Sequence, residues 1–119
     1  RGRMVEIDPR QFGRALGNLL DNAITGTPEG GRIVIEIRRP ADQARWKVEI
    51  GIADNGRGMS AEELQQAAQS GVVIGKDGTP QRRSGLGIPL ARQLIEAHDG
   101  ELDLVSRKGA GTTAVIRLP

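Results

Sequence analysis

The sequence predicts an α+β sandwich, with about three helices packed on one face of a mixed, mainly antiparallel sheet. Three observations predict it. Residues 8–25 read as a capped amphipathic helix. Residues 32–38 and 46–53 alternate apolar and polar side chains and sit where a hairpin would place them. A further helix followed by two strands closes the chain between residues 88 and 119. At 119 residues the chain is expected to be one domain, residues 1–119. That length hides roughly two-thirds of the unfolded surface.

Each element has a local reason. Asp8 suits an N-cap, Pro9 suits the first helical position, and Gln11 completes a capping box. The first helix then runs to about Thr25, with Leu16, Leu19, Leu20, Ala23 and Ile24 as its apolar stripe, and "TPEGG" ends it. In "RIVIEIR" (32–38), Ile33, Ile35 and Ile37 share one face of a strand. "WKVEIGIA" (46–53) is its hairpin partner across "RPADQAR". Ser60 and Glu63 form a second capping box, opening a short helix to about Gln69. Residues 70–87 read as one long Gly-, Ser- and charge-rich loop. "IPLARQLIEAH" (88–98) is a helix with Pro89 in its first turn, and Gly100 suits the left-handed residue after its end. "ELDLVSR" (101–107) and "TTAVIRLP" (112–119) are strands joined by "KGAG".

Composition removes several classes of function. No run reaches the ~18 apolar residues of a membrane span. The start, "RGRMVEIDPRQ", has no signal-peptide apolar core. With no cysteine, there are no disulfides and no thiolate metal site. The 17 Lys and Arg nearly balance the 15 Asp and Glu, which argues against a nucleic-acid partner. Phe12 and Trp46 are the only aromatic residues, too few for a stacking platform on single strands.

The 17 glycines cluster in loops, and three of these loops bear on function. "SGVVIGKDG" (70–78) looks like a phosphate-binding P-loop but fails the pattern. Three residues separate Gly71 from Gly75 where four are required, and Asp77 follows Lys76 in place of Ser or Thr. Neither "DNGRG" nor "GLG" completes a dinucleotide fingerprint. Singly, each loop reads as a tight turn. Together they suggest a nucleotide. Asp54 follows a strand and can accept from an exocyclic amine such as that of adenine. Gly56 and Gly58 let the chain turn tightly beside a flat ring. Gly85-Leu86-Gly87 precedes a helix, where backbone N–H groups and the helix dipole suit phosphate oxygens. Asn18 and Asn22 lie one turn apart on the first helix, and an amide oxygen suits Mg²⁺. The same amides also suit a plain solvated face.

This constellation resembles the ATP-binding catalytic domain of bacterial sensor histidine kinases. That family belongs with DNA gyrase, the heat-shock chaperone ATPases and the mismatch-repair ATPases, which share the Bergerat (GHKL) nucleotide fold. "NLLDNA" (18–23) matches the N box, "DNGRGM" (54–59) the G1 box, and "SGLGIPLARQLIEAHDGEL" (84–102) the G2 box. "GAGTTAVIRLP" (109–119) resembles the kinase C-terminal ending.

The resemblance implies the cofactors ATP and Mg²⁺. Asn22 would coordinate the ion on the triphosphate, and Asn18 would line the pocket one turn earlier. Asp54 would bond the adenine amine, with Gly56 and Gly58 shaping the base pocket. Thr112 would sit near the base through water, a plain strand-edge threonine being the rival reading. Gly85, Leu86 and Gly87 would border the phosphates, and residues 70–84 would form a mobile lid. The γ-phosphate would pass to a histidine on an upstream helical dimerisation and phosphoacceptor domain, then to a response regulator. The parent protein would be a homodimer, this fragment a monomer. The domain would be cytoplasmic, from a parent that is either membrane-anchored or not. His98 suits the end of a helix, where it complements the dipole, and competes poorly as a phosphoacceptor.

The sequence also departs from the family pattern. Thr25 and Gly26 stand where many members carry a cation and then an aromatic ring. The Phe-rich box is missing, since residues 64–84 contain no aromatic. Arg83 stands where the G2 box often has its first glycine, and Lys76, Arg82 or Arg83 could replace the lost cation. Three readings result: an active kinase catalytic domain, a degenerate pseudokinase module with weak or no ATP binding, and an anti-sigma-type serine kinase.

Overall fold

The computed structural model describes residues 5–41, 45–70, 72–74, 80–82 and 87–119, with the backbone alone at 70, 72–74 and 80–82. The elements run α1 (Pro9–Gly26), β1 (Ile33–Arg38), β2 (Val48–Asp54), α2 (Ala61–Ser70), β3 (Val72–Ile74), β4 (Pro80–Arg82), α3 (Gly87–Glu96), β5 (Glu101–Arg107) and β6 (Gly111–Leu118). The main sheet has the order β1-β2-β6-β5, with every neighbouring pair antiparallel. Among the described residues no helix is long and apolar enough to cross a membrane.

The three helices cover one face of that sheet. Phe12, Ala15, Leu19 and Ala23 recur at helical spacing and bury α1. Ile88, Ala91 and Ile95 do the same for α3. Under them lie Ile52, Ala114, Ile116, Leu118 and Leu102, the inward residues of β2, β6 and β5. The opposite face carries charge. Arg38, Glu49, Arg117 and Glu101 stand opposite one another across all four strands, alternating in sign.

Four expectations change in detail. The apolar stripe of α1 is rotated: Ile24 is 56% exposed and Thr25 only 9% exposed. The shared face of Ile33, Ile35 and Ile37 is present, but Ile35 and Ile37 are 54% and 71% exposed. β1 is an edge strand, and the helical layer lies over the neighbouring strands. Within residues 70–87, expected as one structureless loop, β3 and β4 pair as a short antiparallel ladder. The Val72-Val73-Ile74 run is β-branched and favours that pairing. The remaining residues of that stretch, 71, 75–79 and 83–86, lie outside the described set.

The fourth change is at the end of α3. The left-handed residue is Asp99, at φ 62°, and not Gly100. Aspartate tolerates that conformation better than most residues. Gly100 closes the helix from one position later, its N–H donating to the Ile95 carbonyl. It must be glycine for a different reason: a Cβ there would lie 2.7 Å from the Arg117 carbonyl oxygen.

The caps differ as well. Ser60 and Glu63 exchange both expected hydrogen bonds, at 2.9 and 3.2 Å. At α1, the Asp8 carboxylate accepts from the N–H groups of Arg10 and Gln11. The reciprocal bond from the Asp8 N–H goes to His98 Nε2 at 2.9 Å, in the role expected of Gln11. His98 Nδ1 donates to the Leu94 carbonyl, and its ring meets Phe12 edge-on. Nδ1 thus fixes the ring on α3 while Nε2 holds the start of α1, and His98 is structural.

Candidate functional site

A cavity opens where the end of α1, the end of β2, the turn at residues 55–60 and the start of β6 converge. Its polar lining is Asn22, Asp54 and Thr112. Leu19, Ile52, Met59, Ile88, Leu104 and Ala114 make the walls apolar, and Gly26 and Gly58 bring bare backbone to it.

Asp54 ends β2 and is held by the chain around it. Its Oδ1 accepts from Gly56 N–H at 2.9 Å and from Thr112 N–H at 3.2 Å. Both bonds fall on one oxygen, so Oδ2 carries neither. The first is an Asx-type turn within the loop, and the second reaches across to β6. One carboxylate oxygen thereby sets the orientation of the other.

The glycines around Asp54 exist for backbone packing. A Cβ on Gly56 would lie 2.2 Å from the Gly26 carbonyl oxygen. Gly58, at φ +70°, has the Arg107 carbonyl oxygen 1.9 Å from where its Cβ would be. Gly111, at φ +100°, faces the Asp54 carbonyl oxygen in the same way, at 2.0 Å. The turn after β2 is thus threaded between the end of α1 and the β5–β6 turn. Arg57 N–H to Gly26 O and Gly109 N–H to Arg57 O tie it to both.

Asn22 is the opposite case. It lies on the last turns of α1, lines the cavity, and its Oδ1 is buried with no hydrogen-bond partner. A buried acceptor left unsatisfied costs about 1–3 kcal/mol. Two guanidinium atoms, Arg57 Nε and Arg92 Nε, are also buried without partners.

Of the residues singled out from sequence, the structure gathers Asn22, Asp54, Gly58 and Thr112 around one cavity. Asn18 is half-buried one turn earlier, and Gly56 packs behind the turn; neither is among the described lining residues. Gly87 is the buried first residue of α3, at φ +49°. Gly85 and Leu86 lie outside the described residues, as does most of the expected lid. Sequence reasoning missed Gly111 and Ser106. Gly111 had a signal, a glycine opening a strand beside a turn. Ser106 had none, because what gives it a role is the Met59 N–H, 47 residues away, meeting it at its hairpin contact with Thr112.

Comparisons with known proteins bear on the fold that carries this cavity. Residues 7–119 match the family of histidine kinase-, DNA gyrase B-, and HSP90-like ATPases. The chain belongs to that family. It is 36% identical over 115 residues to the histidine protein kinase DivJ of Caulobacter vibrioides, covering 97% of this chain and 19% of the relative. It is 36% identical over 116 residues to the sensor protein EvgS of Escherichia coli K12, covering 98% of this chain and 10% of the relative. It is 32% identical over 115 residues to the adaptive-response sensory kinase SasA of a Synechococcus strain, covering 97% of this chain and 29% of that protein. The chain therefore spans under a third of the length of each of these relatives.

Solved structures agree with the fold. The mycobacterial sensor histidine kinase MprB superposes with a TM-score of 0.78 at 28% identity, covering 97% of this chain and 76% of that one. The catalytic domain of histidine kinase ThkA, nucleotide-free, gives 0.71 at 25% identity, covering 97% and 69%. The chain is a histidine kinase-type ATPase domain, with the helix-on-sheet sandwich of those structures.

Proposed function

We propose that this chain binds Mg·ATP in the cavity and presents the γ-phosphate to a histidine on a separate helical dimerisation domain of its parent protein. A response regulator would then receive the phosphate in two-component signalling. One observation carries the proposal: a single cavity pairs a pre-oriented carboxylate with a buried amide oxygen that has no partner.

The apolar walls suit a purine ring, and Asp54 Oδ2 is left to accept from the adenine amine. Gly87, at the N-terminus of the ten-residue helix α3, suits the phosphates. The donor set fits Mg²⁺. A hard ion that prefers few protein oxygens would take Asn22 Oδ1. When bound, the ion supplies charge neutralisation at the triphosphate. What the chain contributes is positioning: it orients the base through Asp54 and excludes water from the base with aliphatic walls.

Calorimetry on the 119-residue chain tests this. ATP binding is expected, tighter in Mg²⁺ than in EDTA. Saturating Mg·ATP with no heat and no change in thermal midpoint would sink the proposal. One observation favours the pseudokinase reading. Thr25 is buried and Gly26 is bare, so the end of α1 offers neither a cation nor a ring to a nucleotide. Absence of binding would assign the chain to a regulatory or interaction role.

A further inference from the structure

We infer that Ser106 is a positioning residue that sets the hydrogen-bond polarity of the base-reading edge of the cavity. The inference rests on the nucleotide reading above and goes beyond it in naming what discriminates one base from another.

Ser106 sits near the end of β5, on the face it shares with Leu102 and Leu104. Three groups meet at its hydroxyl. Met59 N–H, in the turn after β2, donates to Ser106 Oγ at 2.8 Å. Ser106 Oγ donates to the Gly111 carbonyl at 3.2 Å. Thr112 Oγ1 lies 2.7 Å away. A hydroxyl has one proton and two lone pairs. Only one assignment satisfies all three contacts at once. The Ser106 proton goes to Gly111, one lone pair accepts from Met59, and the other accepts from the Thr112 hydroxyl. Thr112 therefore spends its proton on Ser106 and keeps only acceptor capacity.

The cavity then presents acceptors on one edge: the Thr112 oxygen beside the Asp54 carboxylate, whose Oδ1 the Thr112 N–H already holds. Such an edge favours a base carrying an amine and disfavours one carrying a carbonyl at the same place. Without Ser106, Thr112 is free to turn and donate, and the preference fades. Met59, which lines the cavity, loses its anchor in the same change.

Titration of the chain with ATP and with inosine triphosphate, which replaces the amine by a carbonyl, tests this. Ser106→Ala should weaken ATP binding about three- to tenfold, the loss of roughly one hydrogen bond, and leave the inosine nucleotide unchanged or tighter. Ser106→Thr, which keeps the hydroxyl, should restore the ratio. Thr112→Val should narrow the ratio as Ser106→Ala does, and adding Ser106→Ala to it should narrow the ratio no further. Equal losses for both nucleotides would mean a merely structural serine and overturn the inference. An unchanged ratio would overturn it too, while the nucleotide site stands. If the parent binds neither nucleotide, the nucleotide reading fails, and this inference with it. Hydrogen exchange needs no ligand: Ser106→Ala should speed exchange at the Met59 amide, and unchanged protection there would remove the anchor on which the inference rests.

Discussion

Asp54 and Asn22 line the same cavity, and the structure treats them differently. Asp54 is held by two backbone N–H groups from two segments, and glycines on both sides bring those segments within contact of its own backbone. Asn22 Oδ1 is buried with nothing to accept from. One end of the cavity is wired before any ligand arrives. The other holds an acceptor whose cost is relieved only by something that binds there. Pre-orientation suits selection of a base, where a misdirected acceptor loses specificity. An unsatisfied hard oxygen suits a cation carried in by its ligand.

The strongest way to break this contrast is to push apart the wired end. Gly111→Ala places a Cβ against the Asp54 carbonyl in a left-handed conformation. Strain and overpacking together should destabilise the fold by about 3 kcal/mol. Gly109→Ala is the control. It has a similar φ of +83° but nothing within 4 Å of its Cβ, so only the backbone strain of about 1–2 kcal/mol remains. Urea midpoints measure both. Equal losses would mean that conformation alone, and not the packing around Asp54, demands glycine.

Asp54→Asn comes next. An asparagine oxygen can still accept from Gly56 and Thr112, so the fold should persist. The remaining position becomes a donor aimed at the adenine amine. Replacing a charged acceptor should cost roughly 1.5–3 kcal/mol, about ten- to a hundredfold in ATP affinity by calorimetry. GTP, with a carbonyl at that place, should bind the parent more weakly than ATP. Equal binding of the two nucleotides would remove the adenine assignment and leave the wired end without a purpose.

Asn22→Ala tests the other end, and its effect on stability should be small. Truncation removes an unsatisfied acceptor along with some packing, so the change should stay within about 1 kcal/mol. The nucleotide effect should depend on the metal. In Mg²⁺ the variant should bind ATP more weakly than the parent, while in EDTA at matched ionic strength the two should bind alike. A defect of the same size in EDTA would mean that Asn22 touches the nucleotide itself.

How much of this was legible in the sequence depends on how local each cause is. The Ser60–Glu63 box, the Asp8 carboxylate cap and the alternation of β2 are set by neighbours within four residues and read correctly, whereas the reciprocal half expected of Gln11 is made by His98, 90 residues away. Asp99 and Gly100 read in the wrong order. A glycine after a helix suggests the left-handed residue, but Gly100 is required by a carbonyl on β6, far along the chain. Period two was visible in Ile33, Ile35 and Ile37, yet coverage of that face depends on how far the helical layer extends. Asn22, Asp54, Gly58 and Thr112 were expected near one ligand from motif resemblance, and they do line one cavity. The partnerless state of Asn22 is set by what surrounds it in the fold, and Ser106 joins Gly111 and Thr112 across its own hairpin to Met59, 47 residues away, which no local pattern carries.

The smallest expected effect lies where the wired end meets α2. Lys108, in the β5–β6 turn, pairs with Glu63 at 3.2 Å, so that turn is tied to the α2 cap as well as to Asp54. The hydrogen bond from Ser60 N–H, followed by Lys108, holds the Glu63 carboxyl below its ordinary range, against desolvation that acts the other way. A carboxyl depressed on folding stabilises the folded state above its unfolded pKa of about 4.3, and that contribution is lost as pH falls through the lower folded value. Glu63→Gln can keep both hydrogen bonds of the box but not the charge. At pH 7 and low salt it should be less stable than the parent by about 0.3–1 kcal/mol. The Lys108 side chain is largely exposed, so added salt should narrow the gap. Acid should close it once Glu63 is protonated. Urea unfolding at neutral and acidic pH reads the difference directly. A gap that survives acid would be a packing loss, and the wiring around Asp54 would then stop at the β5–β6 turn without reaching α2.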